Sequence, residues 1–541
     1  MKLFPAFLIA CLPVFGFIKV TAATNAAGYQ RNGMPSAGLA LGSYVSIFGT
    51  ELADGAFVQR GYPLVPAGFN NVKVFVVSKN LGYEQKVTYT SPTQVGVIIT
   101  STTPLGPAVL RVINGSLSSD LDVNIINRNF GVFAVNQGGS GPAVAYKYAA
   151  GGSASLVTLF ESAAPGQLIS LYGTGLGPTS EDDGLPVTQA RDLPGNVEVY
   201  IGNKPATVSY KGRIPGISSI DQLNVTVPLD VAPGCFVSVV VKTDSISNGT
   251  TLPVAAGGKN CSDDQGIRSA DLDRAKASGG LNYGRISLLR SQFTETTGVF
   301  TLTESISASF FRYSSDRLAA ARPYASLGSC VLFDSPGLLS ATSTTTSTSL
   351  DAGSTMTVIT SAGTKTLSRS GGRYSYSGVV NRTPPSSSPV VPEFLVAGAY
   401  TMSANGGTDV GVTTASITRP GTFNWTNFSS VNAVNRTQDL EVTWSGAEAG
   451  SVVQIFGISS SSPATGVYQS GGFECTAPSG PGRFVIPAYV LQSIPVTVSI
   501  GGIPQSFISV STQVRGTLTA TGIDTGIAVI ALEQGKTVPF N

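Results

Sequence analysis

Apolar and polar side chains alternate at a spacing of two through most of the chain. Tyr44, Ser46 and Phe48 fall on one face of such a run and Val45 and Ile47 on the other. Leu168, Ser170 and Tyr172 repeat the arrangement against Ile169 and Leu171. β-Branched and aromatic residues fill these runs, which read as strands, and Gly, Pro and Asn interrupt them about every ten residues. Many short strands with this punctuation predict an all-β chain built from β-sandwiches.

The runs also repeat. Gly42 to Leu52 (GSYVSIFGTEL) matches Gly166 to Leu176 (GQLISLYGTGL). Asn71 to Phe75 (NVKVF) matches Asn196 to Tyr200 (NVEVY). Gln94 to Ile99 (QVGVII) matches Gln222 to Val227 (QLNVTV), and Pro104 to Pro107 stands where the second copy has Val231 to Gly234. Blocks in the same order mark two related domains, predicted over 23–128, a degenerate copy, and 129–262. Phe133 to Tyr148 is expected to add a hairpin to the second.

Beyond them, 263–541 is again strand-rich, with runs at Thr296 to Phe311, Met356 to Thr360, Val410 to Ile417, Leu440 to Trp444, Val452 to Gly457 and Ile494 to Ile500. It is read as one large β domain or two sandwiches. A short helix from Ser269 as cap to Ala277 links it to the repeats. Ser340 to Ser349 and Thr383 to Pro392 are expected to be loops.

The first segment, 1–22, reads as a secretory signal peptide: Lys2 forms a minimal basic region, Leu3 to Ile18 is nearly all apolar, and Val20 and Ala22 suit a cleavage site. The apolar run is shorter than a membrane span and holds Pro5 and Pro13. Leu8 to Cys11 has the form of a lipobox, so lipoprotein anchoring at Cys11 is the alternative. Cys235, Cys261, Cys330 and Cys475 then remain, an even count that suits disulfides in an exported chain. Pairing within inferred domains favours Cys235–Cys261 and Cys330–Cys475 among the possible connectivities.

Composition narrows the function. Charged residues are only 12% of the chain, hydrophobic residues 42%, and the net charge is +2. Without a basic excess, nucleic acid is not an expected partner. The chain has no histidine, which removes Ser-His, Cys-His and His-metal mechanisms.

The block Ala164 to Pro178 (APGQLISLYGTGLGP), with Val197 to Ile201, Tyr210 to Gly212, Asp221 to Pro228 (DQLNVTVP) and Val231 to Gly234, resembles the hallmark of an uncharacterised secreted acidobacterial β-sandwich repeat family, which is similar to IPT/TIG immunoglobulin-like modules. Gly131 to Ala134 and Gly138 to Ala143 fit the same pattern. The match covers about 131–255, with 37–127 a weaker copy; Phe423 to Asn427, Leu440 to Trp444 and Phe473 to Cys475 resemble regions that accompany the family. The resemblance implies tandem immunoglobulin-like sandwiches in a secreted bacterial protein and transfers no catalytic residues.

Other motifs read as structure. Gly173 to Gly177 (GTGLG) follows a strand, but Pro178 and a charged turn follow it where a dinucleotide loop needs a helix. Glu181, Asp182, Asp183, Asp263 and Asp264 form acidic clusters that suit Ca²⁺ only loosely. Trp444 is read as core. Trp425, among polar neighbours, is the candidate ligand-stacking aromatic. The Asn-x-Ser/Thr sites at Asn381, Asn424, Asn427 and Asn435 are polar turn and strand residues if the chain is bacterial. The expected function is a non-enzymatic extracellular or cell-surface scaffold, adhesion or binding protein without a cofactor, its partner an extracellular protein or polysaccharide. The alternative is a carbohydrate-binding or carboxylate-dependent glycan-acting protein with its site in the C-terminal half.

Overall fold

The structure, a computed structural model, describes residues 17–65, 68–149, 151–263, 266–314, 324–334, 347–385, 389–462 and 468–541. Most of the expected signal segment, including Cys11, lies outside the described residues, as do Asp264 and most of the Ser340 to Ser349 run. The chain is all-β, its strands paired mostly antiparallel. Among the described residues no helix is long and apolar enough to cross a membrane.

The first sandwich packs two five-stranded sheets. One runs Lys19–Asn25, Tyr44–Thr50, Gln94–Ile98, Lys86–Thr90 and Val58–Gln59. The other runs Leu39–Ala40, Leu117–Ile126, Gly106–Asn114, Val72–Ser78 and Leu81–Glu84. Lys19–Asn25 crosses the boundary at residue 22 and pairs with Tyr44–Thr50, Asn25 opposite Val45. Period-two alternation explains the core: Val45, Ile47, Val72, Val74, Val95 and Val97 are all buried in one cluster, each contributing roughly 1.5–3 kcal/mol by leaving water.

In the second sandwich Leu168–Thr174 lies beside Asp221–Thr226, as Tyr44–Thr50 lies beside Gln94–Ile98. Glu198–Ile201 pairs with Gly234–Lys242, as Val72–Ser78 pairs with Gly106–Asn114. One difference separates the copies. Lys204–Arg213 passes unbroken from one sheet to the other, pairing first with Glu198–Ile201 and then with Asp221–Thr226. The first copy splits this path into two strands at Gln85. Ala145–Tyr148 pairs with Leu168–Thr174 and with Ala154–Leu156.

The helix that follows spans Ser269–Ser278. Its N-cap is Arg268 rather than Ser269, because the Asp271 carboxylate reaches back to accept the Arg268 amide at 2.9 Å. Gly279, at φ 70°, ends it in the left-handed region that glycine adopts without strain.

The C-terminal region is organised by four long strands, Gly280–Thr294, Phe300–Ser314, Ser506–Thr519 and Thr525–Thr537. They belong to a thirteen-stranded sheet that closes on itself, because Thr525–Thr537 pairs with both Gly280–Thr294 and Ser506–Thr519. Two separate cores result. One is built around Ile286, Phe310, Met356, Tyr374, Tyr400 and Leu518, the other around Trp425, Trp444, Ile455, Phe473, Val510 and Phe540. Ser506–Thr519 and Thr525–Thr537 supply residues to both. The second core also takes in Val240 and Ile246 of the second sandwich. The parts of the molecule therefore share apolar interior and do not hang as separate beads.

Candidate functional site

Because Val45 and Ile47 point into the core, the opposite parity of the same strand points outward. It carries Tyr44, Ser46 and Phe48. Tyr89, on Lys86–Thr90, lies with its ring over Gly96, where any Cβ would come within 2.1 Å of the ring. Tyr44 and Tyr89 stack with centroids 6.5 Å apart, Phe57 adds to Tyr89 at 5.3 Å, and Tyr29 meets Phe48 at 6.1 Å. Thr88 Oγ1 donates to the Tyr44 hydroxyl at 2.8 Å. Burial, reinforced by the neighbouring Tyr89, Tyr62 and Tyr29 hydroxyls, pushes the Tyr44 phenol up to about 12. The cluster stays protonated and uncharged in any physiological medium.

The second sandwich carries a related face. Tyr146 and Tyr172 meet edge to face at 5.7 Å. Tyr148 shares a hydrogen bond with Ser170 at 2.9 Å, Ser170 donates to Asn224 Oδ1 at 2.7 Å, and Gln222 donates to the same oxygen at 2.6 Å. Burial, with Tyr148 and Tyr146 nearby, pushes Tyr172 up to about 12. The two faces adjoin. The Tyr44 amide donates to Thr174 Oγ1 at 2.8 Å, so one repeat strand begins where the other ends, and the Ser218 amide donates to the Tyr62 hydroxyl at 3.1 Å.

A buried ion cluster holds this junction. Asp221, fully buried, lies 3.2 Å from Arg213 Nε and accepts the amides of Gly175 and Leu176, each at 2.8 Å. Asp183 lies 3.6 Å from Arg213 and accepts Ser101 Oγ and the Ser101 amide from the first sandwich. The GTGLG turn thus cradles a carboxylate of its own chain. Gly175, at φ 106°, brings its backbone so close to the Asn129 carbonyl that a Cβ would meet it at 2.1 Å. Burial raises both carboxyls, Asp221 to about 6, against the lowering pull of Arg213.

The other candidate residues fall as follows. Cys235 and Cys261 have their Cα atoms 5.2 Å apart and a sulfur–sulfur bond. Cys330 and Cys475 are bonded across directly paired strands, with Cα atoms 4.0 Å apart. Trp425 is corrected: at 1% exposure it has no ring face open to a ligand, because Phe428 meets it edge-on at 5.0 Å and its indole N–H donates to Asn427 at 2.7 Å. Trp444 is buried in the same core. Glu181, Asp182 and Asp183 do not converge, since Arg191, Lys86 and Arg213 each take one of them. Asp263 accepts Ser326 Oγ at 2.7 Å. It lines a cleft of about 800 Å³ with Glu448 and Arg515, between the second sandwich and the C-terminal region, and no aromatic ring stands among its described lining residues.

The sequence marked Tyr44, Ser46 and Phe48 as one face without deciding which way it points. It gave no notice of Arg213 or Asp221; the available signal was a charged residue at each end of a short apolar hairpin.

No family model and no curated protein matches the chain. Among solved structures it is similar to SGBP-B from a complex xyloglucan utilization locus in Bacteroides uniformis, at 8% identity over 97% of this chain and 100% of that one, TM-score 0.17. It is also similar to the plexin A4 extracellular region, at 12% identity and TM-score 0.16; that match covers 42% of this chain and 17% of plexin A4. The I9–I11 tandem of titin matches at 9% identity over 70% of this chain and 92% of its own, TM-score 0.13. At such scores the likenesses carry no functional argument, and the all-β assignment rests on the strands of the chain itself.

Proposed function

We propose that the protein is a non-enzymatic extracellular or cell-surface scaffold whose two N-terminal sandwiches bind a neutral polysaccharide along their tyrosine-bearing faces. The observation that carries this reading is the aromatic set Tyr44, Phe48 and Tyr89 on one sheet, extended by Tyr29 and Phe57 from the loops beside it. Aromatic rings offer flat apolar area together with a polar tip, the combination that the faces and hydroxyls of a sugar ring require. The faces hold uncharged hydroxyls and amides, which favours an uncharged ligand. Two seven-residue strands laid end to end extend roughly 45 Å at about 3.3 Å per residue, a length suited to a polymer. The two disulfides support an oxidising location.

The test is retention of the purified chain on cellulose, xyloglucan, xylan and mannan by affinity electrophoresis, with the reducing ends of each polysaccharide counted afterwards. The reading requires retention by at least one of them, loss of that retention in Tyr44→Ala and Tyr89→Ala, and no new reducing ends. Retention indifferent to both substitutions, or no retention at all, would overturn it.

A further inference from the structure

The core of the closed C-terminal sheet ends in a charged layer. Along Gly280–Thr294 the inward positions run Ile286, Leu288, Arg290, and along Thr413–Arg419 they run Ala415, Ile417, Arg419. Glu304 holds the equivalent place beside Ile306. Most of this layer is satisfied internally. Glu304 accepts the amides of Phe394 and Leu395, each at 2.9 Å. Glu393 takes Arg290 Nε at 3.1 Å. Gln534 accepts the Trp425 amide at 2.7 Å and donates to Gln292 at 3.2 Å.

Arg419 is the exception. The residue is 8% exposed, and its Nε is sealed from solvent without a hydrogen-bond partner. Glu304 and Glu393 act on it only through their field, while the Arg290 charge opposes its own. Arg290 and Arg419 line one pocket of about 230 Å³, with Gln292 and Gln534 beside them and Phe423 in the wall. A guanidinium N–H withdrawn from water without a bonded partner is costly. Its planar fork matches the two oxygens of a carboxylate.

We infer that this pocket binds a carboxylate-bearing sugar, a uronate unit, with the carboxylate on Arg419 beside Arg290 and the ring hydroxyls against Gln292 and Gln534. The site is separate from the tyrosine faces and does not depend on them. Titration calorimetry of the full mature chain with D-glucuronate, D-glucose and acetate tests it. Glucuronate binds the wild type, glucose does not, acetate binds at least tenfold more weakly, and Arg419→Met weakens glucuronate tenfold or more with an unchanged circular dichroism spectrum. A crystal structure with glucuronate, its carboxylate on Arg419, serves if the variant fails to fold. Equal binding of glucose overturns the role of the charge, and equal binding of acetate overturns the sugar. No binding to the wild type, unaltered binding in the variant, or a carboxylate placed elsewhere overturns the site.

Discussion

Arg213 and Asp221 face each other directly across two paired strands, both removed from water, 3.2 Å apart. The pair ties the turn after one repeat strand to the strand beside it, and through Asp183 and Ser101 to the neighbouring sandwich. Removing one partner of a buried pair strands the other, so Asp221→Ala is expected to lower stability by about 3–5 kcal/mol. Urea unfolding checks this, and Arg213→Met with Asp221→Leu should cost less than Asp221→Ala alone.

The same carboxyl sets a pH dependence. Burial lifts Asp221 to about 6 in the folded chain, above the roughly 3.9 of an unfolded aspartate. The native state therefore holds this proton more tightly than the unfolded state does. Its contribution to stability is full below about pH 4 and is lost as pH rises to about 6, by up to roughly 3 kcal/mol. Asp221→Asn should lack that fall, so the difference between the wild-type and variant unfolding free energies at pH 4, 5, 6 and 7 should trace it.

The Tyr89 ring rests on Gly96. Gly96→Val places carbon where the ring lies and displaces it. If Tyr89 is a platform for sugar, Gly96→Val should weaken polysaccharide retention as much as Tyr89→Ala does. Affinity electrophoresis of the two variants side by side measures this. A Gly96→Val protein that retains full affinity would remove Tyr89 from the contact surface.

Trp425 packs inside the second C-terminal core. Trp425→Ala should cost about 3–5 kcal/mol in stability and leave polysaccharide retention of the still-folded fraction unchanged. Thermal unfolding and electrophoresis below the midpoint separate the two effects.

Cys330 and Cys475 close a loop of 145 residues, Cys235 and Cys261 one of 26. Loop-closure entropy gives roughly 5 and 3.5 kcal/mol as upper values for the two bonds. Cys330→Ser with Cys475→Ser should therefore destabilise more than the corresponding change at Cys235 and Cys261. Guanidinium unfolding of both double variants gives the comparison.

Strand identity was legible because period-two alternation at Val45, Ile47, Ile169 and Leu171 follows directly from burial of one sheet face. Trp425 misled because its sequence neighbours Asn424, Asn427 and Ser429 are polar, whereas Trp444 opposite it and most of the core around it come from distant strands. Arg290 and Arg419 gave little warning. A charged residue at the end of an apolar run resembles an ordinary strand end until the sheet closes around it. The Asp221 cradle was hidden for a related reason: its partners Gly175, Leu176 and Arg213 are brought to it by pairing across the sandwich, and spacing along the chain does not report that.

The final strand, Thr525–Thr537, lies parallel to Gly280–Thr294, and with Ser506–Thr519 it completes both C-terminal cores. A growing chain that has made the first of these strands must wait for more than two hundred further residues before that partner exists. Closure over so long a span is slow, and half-made sheets expose unpaired edges that invite aggregation. The closed sheet of the C-terminal half is therefore completed only once its last strand exists.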